Sequence, residues 1–127
     1  MRHNILVFIL AFLVVSATLA GACGQDDEQV IKDTMTGFLT AYNDEDFNLC
    51  LDYVSDGLRS SKGDEQVIAD LKEGKAASGN AILESMGKLE IDGKSAKISV
   101  SFSGFMGQVN TVRFPLIKES GSWKING

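Results

Sequence analysis

Apolar residues return at two different periods along this chain, and the change of period divides it. In the first half, Val30, Ile31, Met35, Phe38, Leu39 and Tyr42 recur at helical spacing and define one apolar face. The spacing predicts a helix over Asp27–Tyr42, opened by acids at Asp26, Asp27 and Glu28 that suit a cap and first turn. Glu28 stands four residues before Lys32, the distance at which opposite charges support a helix. Phe47, Cys50, Leu51, Val54 and Leu58 repeat the pattern and predict a second helix over Asp46–Val54. A short third helix is predicted over Asp64–Glu73, with Asp64 able to cap its start and Gly74 its end. The small, flexible run GKAASGN, residues 74–80, then marks the passage to a different regime.

From Ala81 the period becomes two. In KSAKISVSFS, residues 94–103, Ala96, Ile98, Val100 and Phe102 face one way and Lys97, Ser99, Ser101 and Ser103 the other. That is a half-buried strand with a solvated face. ILESMGKLEI, residues 82–91, precedes it as a strand ending in Asp92-Gly93, a strong hairpin signal. VNTVRFPLIK, residues 109–118, is a third strand, in which Pro115 lacks a donor and belongs on an edge or at a bulge. Ser120-Gly121 turns the chain into WKI, a short fourth strand. Between the second and third strands, SGFMGQ is a predicted hairpin tip. Its Phe105 and Met106 are candidates for contact with a partner or a bilayer, against the alternative that they fold back over the end of the domain. Helices followed by an antiparallel meander make an α+β domain, with the helices covering one face of the sheet. Phe38 and Trp123 are expected in one core.

The amino-terminal stretch belongs to neither pattern. Residues 1–22 have the parts of a secretory signal: Arg2 with His3, an unbroken apolar run from Ile5 to Val15, then small residues to Ala22. An uncleaved transmembrane anchor is the alternative, since a span needs about 20 apolar residues. The shift to Ser, Thr, Gly and Ala after Val15 argues against it. Ala20-Gly21-Ala22-Cys23 resembles the lipobox of bacterial lipoproteins, with Ala20 where leucine is usual. The resemblance implies that Cys23 is acylated and becomes the mature amino terminus, with residues 23–26 as a short lipidated tether. Ala20-Gly21-Ala22 also fits an ordinary cleavage site.

Loss of residues 1–22 removes His3 and Arg2 and leaves 11 basic and 17 acidic side chains, a net charge of −6. That balance speaks against nucleic acid, which demands a basic surface. Cys23 and Cys50 are the two cysteines of the sequence. With Cys23 acylated, Cys50 has no partner; without acylation, a Cys23–Cys50 disulfide is open in an oxidising compartment. Cys50 lies on an apolar stripe, as a small buried hydrophobe does.

Asn43-Asp44-Glu45-Asp46 is the one cluster that raises a question of chemistry. A calcium loop needs alternating oxygen ligands, a central glycine and a distal glutamate. This stretch lacks the glycine and runs at once into Phe47. A polar turn and an N-cap between two helices account for it, and no metal site or cofactor is expected.

FLTAYNDEDFNLCLDYVS, the strands and the closing LIKESGSWKING resemble the NTF2-like (SnoaL-like) superfamily, and within it small bacterial lipoproteins of the DUF4878 type. The resemblance covers residues 27–127 as one NTF2-like domain. It implies a cone-shaped roll in which a curved antiparallel sheet wraps the first helix and leaves a pocket at the open end. Tyr42, Tyr53, Phe102, Phe114 and Trp123 are the candidate pocket-lining residues. Ketosteroid-isomerase-like relatives use a carboxylate base that would fall near Lys62 here, and Arg59-Ser60-Ser61-Lys62 offers none. The expected function is a non-catalytic lipoprotein held on the extracytoplasmic face of a bacterial envelope. It would bind a small apolar ligand or a protein partner, with a homodimer through the sheet. A SnoaL-type enzyme using an Asp/Tyr pocket is the alternative.

Overall fold

The computed structural model describes residues 27–104 and 107–127. Helix α1 occupies residues 27–43, one residue beyond the expected end. It buries Ile31, Met35, Phe38 and Leu39, while Val30, expected on that face, stays 38% exposed. Glu28 and Lys32 form the i,i+4 pair at 3.2 Å.

The acidic corner is the joint between two helices. Glu45 takes a left-handed conformation, with φ of 59°. The Asp46 N–H donates to Ala41 O at 2.9 Å and the Glu45 N–H to Tyr42 O at 3.1 Å. These are the two crossed bonds that close a helix through a left-handed residue, a place usually held by glycine. Asp46 then caps α2 (Phe47–Leu51), its carboxylate accepting from the Leu49 N–H at 3.3 Å. Helix α2 is therefore shorter than the predicted Asp46–Val54. Leu58 belongs instead to α3 (Asp56–Lys62), a helix that the apolar pattern does not announce because it buries no residue. Its signals are end signals: Ser55 as N-cap, Asp56 in the first turn, and Arg59 and Lys62 in the last. Helix α4 (Asp64–Ser78) runs through Gly74, the expected stop, and ends at Gly79.

The sheet is open, with antiparallel strands in the order β1 (Ile82–Asp92), β2 (Ser95–Ser103), β3 (Val109–Glu119) and β4 (Ser122–Ile125). Its inner face carries Ala96, Ile98, Val100, Leu116, Trp123 and Ile125, all buried against the helices. Phe38 and Trp123 share that core. Strand β1 pairs with β2 through two irregularities, between Leu83 and Ser85 and between Met86 and Leu89. Each adds a residue to β1, which bends the strand and curls the sheet. Pro115 lies in the third of four strands. The β4 pairing stops at Leu116–Ile125, so the donor-less Pro115 nitrogen faces past the end of β4. The Pro115 carbonyl on that side accepts from the Asn126 N–H at 2.9 Å.

Side chains pin α1 to the sheet at both ends. At its start, Asp27 accepts from Lys118 Nζ at 3.0 Å and from Trp123 Nε1 at 3.1 Å. At its end, the Asn43 amide meets the backbone of Ala81 twice, donating to the oxygen at 2.9 Å and accepting from the N–H at 2.7 Å. The far edge of β4 is also occupied. Val54 bridges Ile125 in parallel, and the Ile125 N–H donates to Tyr53 O at 2.8 Å.

Candidate functional site

Helix α4 does not lie flat on the sheet. Val67 is its one buried residue, and Ile68 and Leu71 pack against the edge of the core. A cleft of about 310 Å³ opens between α4, the end of α1 and the inner face of β2 and β3. Phe38 and Tyr42 come from α1, Leu71 and Gly74 from α4, Phe102 from β2, and Phe114 from β3. Ser78, Asn80 and Asn110 form a polar, uncharged rim. A second cleft of about 220 Å³ lies beyond Leu71 and shares Phe38, Asp70 and Phe114 with the first.

The aromatic wall is ordered by its own packing. Tyr42 stacks on Phe38 with ring centroids 6.4 Å apart and meets the edge of Phe47 at 6.3 Å. Burial, and secondly the nearby Cys50, push the Tyr42 phenol above its ordinary range, so it stays a neutral hydroxyl. Gly74 sits opposite that hydroxyl: a Cβ there would stand 3.4 Å from it. Asp70 is the one charged residue along the larger cleft. Its carboxylate accepts from Lys62 Nζ at 2.8 Å and from Gln66 Nε2 at 2.8 Å. Those two bonds, Lys62 first, hold the carboxyl below the usual carboxylate range, the reverse of what a general base needs.

Among the expected pocket residues, Tyr42, Phe102 and Phe114 stand around the cleft. Tyr53 and Trp123 do not. Tyr53 packs over Gly37, where a Cβ would come within 2.5 Å of its hydroxyl, so the glycine gives the ring its seat. Trp123 is 2% exposed and lies under the opposite end of α1, beside Asp27 and Lys118. Periodicity identifies the face of an element but not how far along α1 a residue falls, so it does not separate these two from the residues around the cleft. Leu71 and Gly74, on α4, were missed. Leu71 was legible, four residues after Val67 on the helical stripe.

Phe105, Met106 and Cys23 lie outside the described residues. The connection from β2 to β3 is closed by Gly104 N–H donating to Gln108 O at 3.0 Å and Gly107 N–H donating to Gly104 O at 3.1 Å. It joins β2 to β3 next to the start of β1, at the end of the domain away from Asp27. Cys50 is buried, its Sγ 3.9 Å from Phe38 O. Burial, with Asp46 adding to it, pushes the thiol up to about 11. A thiolate nucleophile at neutral pH is thereby disfavoured. Among the described residues, no cluster of three or more His, Cys, Asp or Glu is placed to hold a metal, and no helix is long and apolar enough to cross a membrane.

This architecture is similar to solved structures of NTF2-like proteins. One, named as a candidate NTF2-like transpeptidase from Campylobacter jejuni, is 20% identical, with a TM-score of 0.52 over 76% of this chain and 96% of that one. Another, an NTF2-like protein from Cytophaga hutchinsonii, is 23% identical, with a TM-score of 0.54 over 77% of this chain and 91% of that one. An uncharacterised cystatin-fold protein from Novosphingobium aromaticivorans is 14% identical, with a TM-score of 0.51 over 74% and 93% of the two chains. No family model and no curated protein sequence matches this chain. The chain has the NTF2-like fold, an α+β arrangement of amino-terminal helices on an open antiparallel sheet.

Proposed function

We propose that this NTF2-like domain is a non-catalytic binding module that takes a small apolar molecule in the cleft beneath α4, carried on a lipid-anchored protein of the bacterial envelope. One observation carries the reading. The cleft is walled by Phe38, Tyr42, Leu71, Phe102 and Phe114, and its single charged side chain, Asp70, is already neutralised by Lys62. Apolar walls with a few polar groups at the rim are the usual make-up of a small-molecule site, and about 310 Å³ is within its usual size. Catalysis of the Asp/Tyr kind has less support. Asp70 is exposed and bonded to Lys62 and Gln66, and Lys62, where the resemblance would place a base, is a cation.

The probe for this reading is 8-anilinonaphthalene-1-sulfonate, whose fluorescence reports entry into an apolar cavity. Saturable binding is expected, and Gly74→Leu, which puts a side chain against Tyr42 inside the cleft, should weaken it at least tenfold, about 1.4 kcal/mol. Undiminished dye binding by Gly74→Leu with its fold intact would place the dye elsewhere and remove the support. The anchor has its own check. Protein extracted from the envelope should show, by intact mass, a chain that begins at Cys23 and carries acyl groups. An unmodified Cys23 in that fraction contradicts it.

A further inference from the structure

We propose that the uncovered half of the β3 edge, residues 109–114, is a peptide-binding site, filled by an extended acidic segment of another polypeptide that adds to the sheet as a further antiparallel strand. The observation begins with main-chain direction. The Pro115 oxygen points to the β4 side, where it accepts from the Asn126 N–H, and the Lys118 N–H points the other way, to Lys94 O. Main-chain groups alternate in direction along a strand, so those of Val109, Thr111 and Arg113 also point to the β4 side. Pairing with β4 stops at Leu116–Ile125, short of all three. Among the described residues, no main-chain group on that side bonds to Thr111 or Arg113.

The two edges of the sheet differ. An edge strand is normally blunted by charge, bulges or proline. Strand β1 has two bulges and carries Glu84, Lys88, Glu90 and Asp92. Residues 109–114 carry one charge, Arg113, and pair with β2 without a register shift. Val109 is 62% exposed and Val112 38% exposed. They lie an odd number of residues apart and so on opposite faces of the strand. A flat contact with either face would cover one valine. A strand laid beside β3, whose own side chains alternate, reaches both.

Shape and charge select the side chains of the occupant. Those opposite Val112 and Phe114 fall on the inner face, beside the cleft of about 220 Å³ that Leu58, Val67, Leu71, Phe114 and Ile125 help to wall, and apolar groups suit them. Those opposite Thr111 and Arg113 fall on the outer face. There Lys88 and Arg113 bond to Glu90 at 3.0 and 2.7 Å, and Lys97 stands opposite Glu90 in the strand register. Three cations around one acid leave this part of an acidic protein positive. A glutamate or aspartate opposite Arg113 is therefore favoured, as opposite charges are across paired strands. Main-chain bonds of this kind give affinity, and the alternating side chains give selectivity.

The test uses the full chain in a non-ionic detergent and a fluorescein-labelled seven-residue peptide that alternates valine with glutamate and threonine, followed by fluorescence anisotropy. Saturable binding is expected. Methylating the main-chain nitrogens of the glutamates and threonines, which would stand opposite Thr111 and Arg113, removes donors but no side chain and should weaken binding at least tenfold. Methylating the valine nitrogens instead, on the edge that faces solvent, should leave it intact. Arg113→Glu should weaken binding at least tenfold and should accept a peptide with lysine in place of glutamate, which also shows that the variant is folded. Gly74→Leu, in the larger cleft, should have no effect. An absence of saturable binding, equal effects of the two methylations, indifference to Arg113→Glu, or loss with folded Gly74→Leu would each overturn the proposal. So would a second copy on this edge, seen in sedimentation as a dimer that the peptide does not displace. None of these outcomes depends on dye binding in the larger cleft.

Discussion

Trp123→Ala is expected to lower the stability of the domain by about 3–5 kcal/mol, the range for removing a large aromatic from a close-packed core. Trp123 is 2% exposed and lies in the cluster that holds Ile31, Met35 and Ile98. Truncation would leave a void that helix and sheet cannot both close. It would also remove the N–H that holds Asp27, and with it one of the two bonds at the start of α1. Urea unfolding measures the loss, and a change below about 1 kcal/mol would contradict the assignment of Trp123 to the core. Trp123→Phe separates the two contributions, since it refills much of the void but supplies no donor. The pH dependence should follow. The Trp123 N–H first, and Lys118 second, hold the Asp27 carboxyl below its ordinary 3.8. A depressed folded-state value contributes stability above about 3.8 that is lost as the pH falls through the folded value. Both variants should flatten that acid limb of the stability profile.

Ser55→Ala is expected to cost roughly 2–3 kcal/mol, more than a helix cap alone contributes. Ser55 is 1% exposed. Its hydroxyl accepts from the Leu58 N–H at 3.1 Å, capping α3, and donates to Asn126 Oδ1 at 2.6 Å. Its own N–H donates to Ile125 O at 2.8 Å, beside the parallel bridge from Val54. One side chain thus joins the start of a helix to the end of the sheet. Alanine would leave the part-buried Leu58 N–H without its cap and the Asn126 amide oxygen without its donor, and the two losses together exceed that of the cap alone. Equilibrium denaturation gives the magnitude. Hydrogen exchange at Leu58 gives the location: its protection should fall before that of α1. Unchanged exchange there would mean that α3 is held by other contacts.

Most of the fold was legible because most of it obeys a single period. The apolar face of α1, the alternation of β2 and the hairpin at Gly93 follow directly from side-chain spacing. Strand β1 shows where that reading weakens. Its inward residues, Leu83, Met86, Leu89 and Ile91, are spaced three, three and two apart, because each bulge inserts a residue. Helix α3 was missed for the opposite reason: with no buried residue it has no period to read, and only its caps mark it. Gly74 can cap a helix end by its residue type, yet α4 continues through it beside the Tyr42 hydroxyl and stops at Gly79. The cleft was half legible. Tyr42, Phe102 and Phe114 lie on predicted apolar faces, whereas the wall formed by α4 depends on how that helix docks, which no local pattern encodes. By its residue type and neighbours Asn43 belongs to a turn. Its two bonds to Ala81 join residues 38 positions apart, a tertiary fact that spacing cannot carry.

The pinning of α1 has a consequence for the route by which the chain folds. The contacts that fix its start reach Trp123 across 96 positions of sequence. Closing a loop of that length costs about 2 kcal/mol more entropy than closing one of ten residues. The helices come first along the chain and the strands that cover them come last. During synthesis the apolar side of α1 must therefore wait, uncovered, until the strand that carries Trp123 has been made. A domain ordered this way is expected to collapse only once β4 has been made and to fold at the slower rate typical of distant pairings. Until then its hydrophobic stripe is open to chaperones or to other nascent chains.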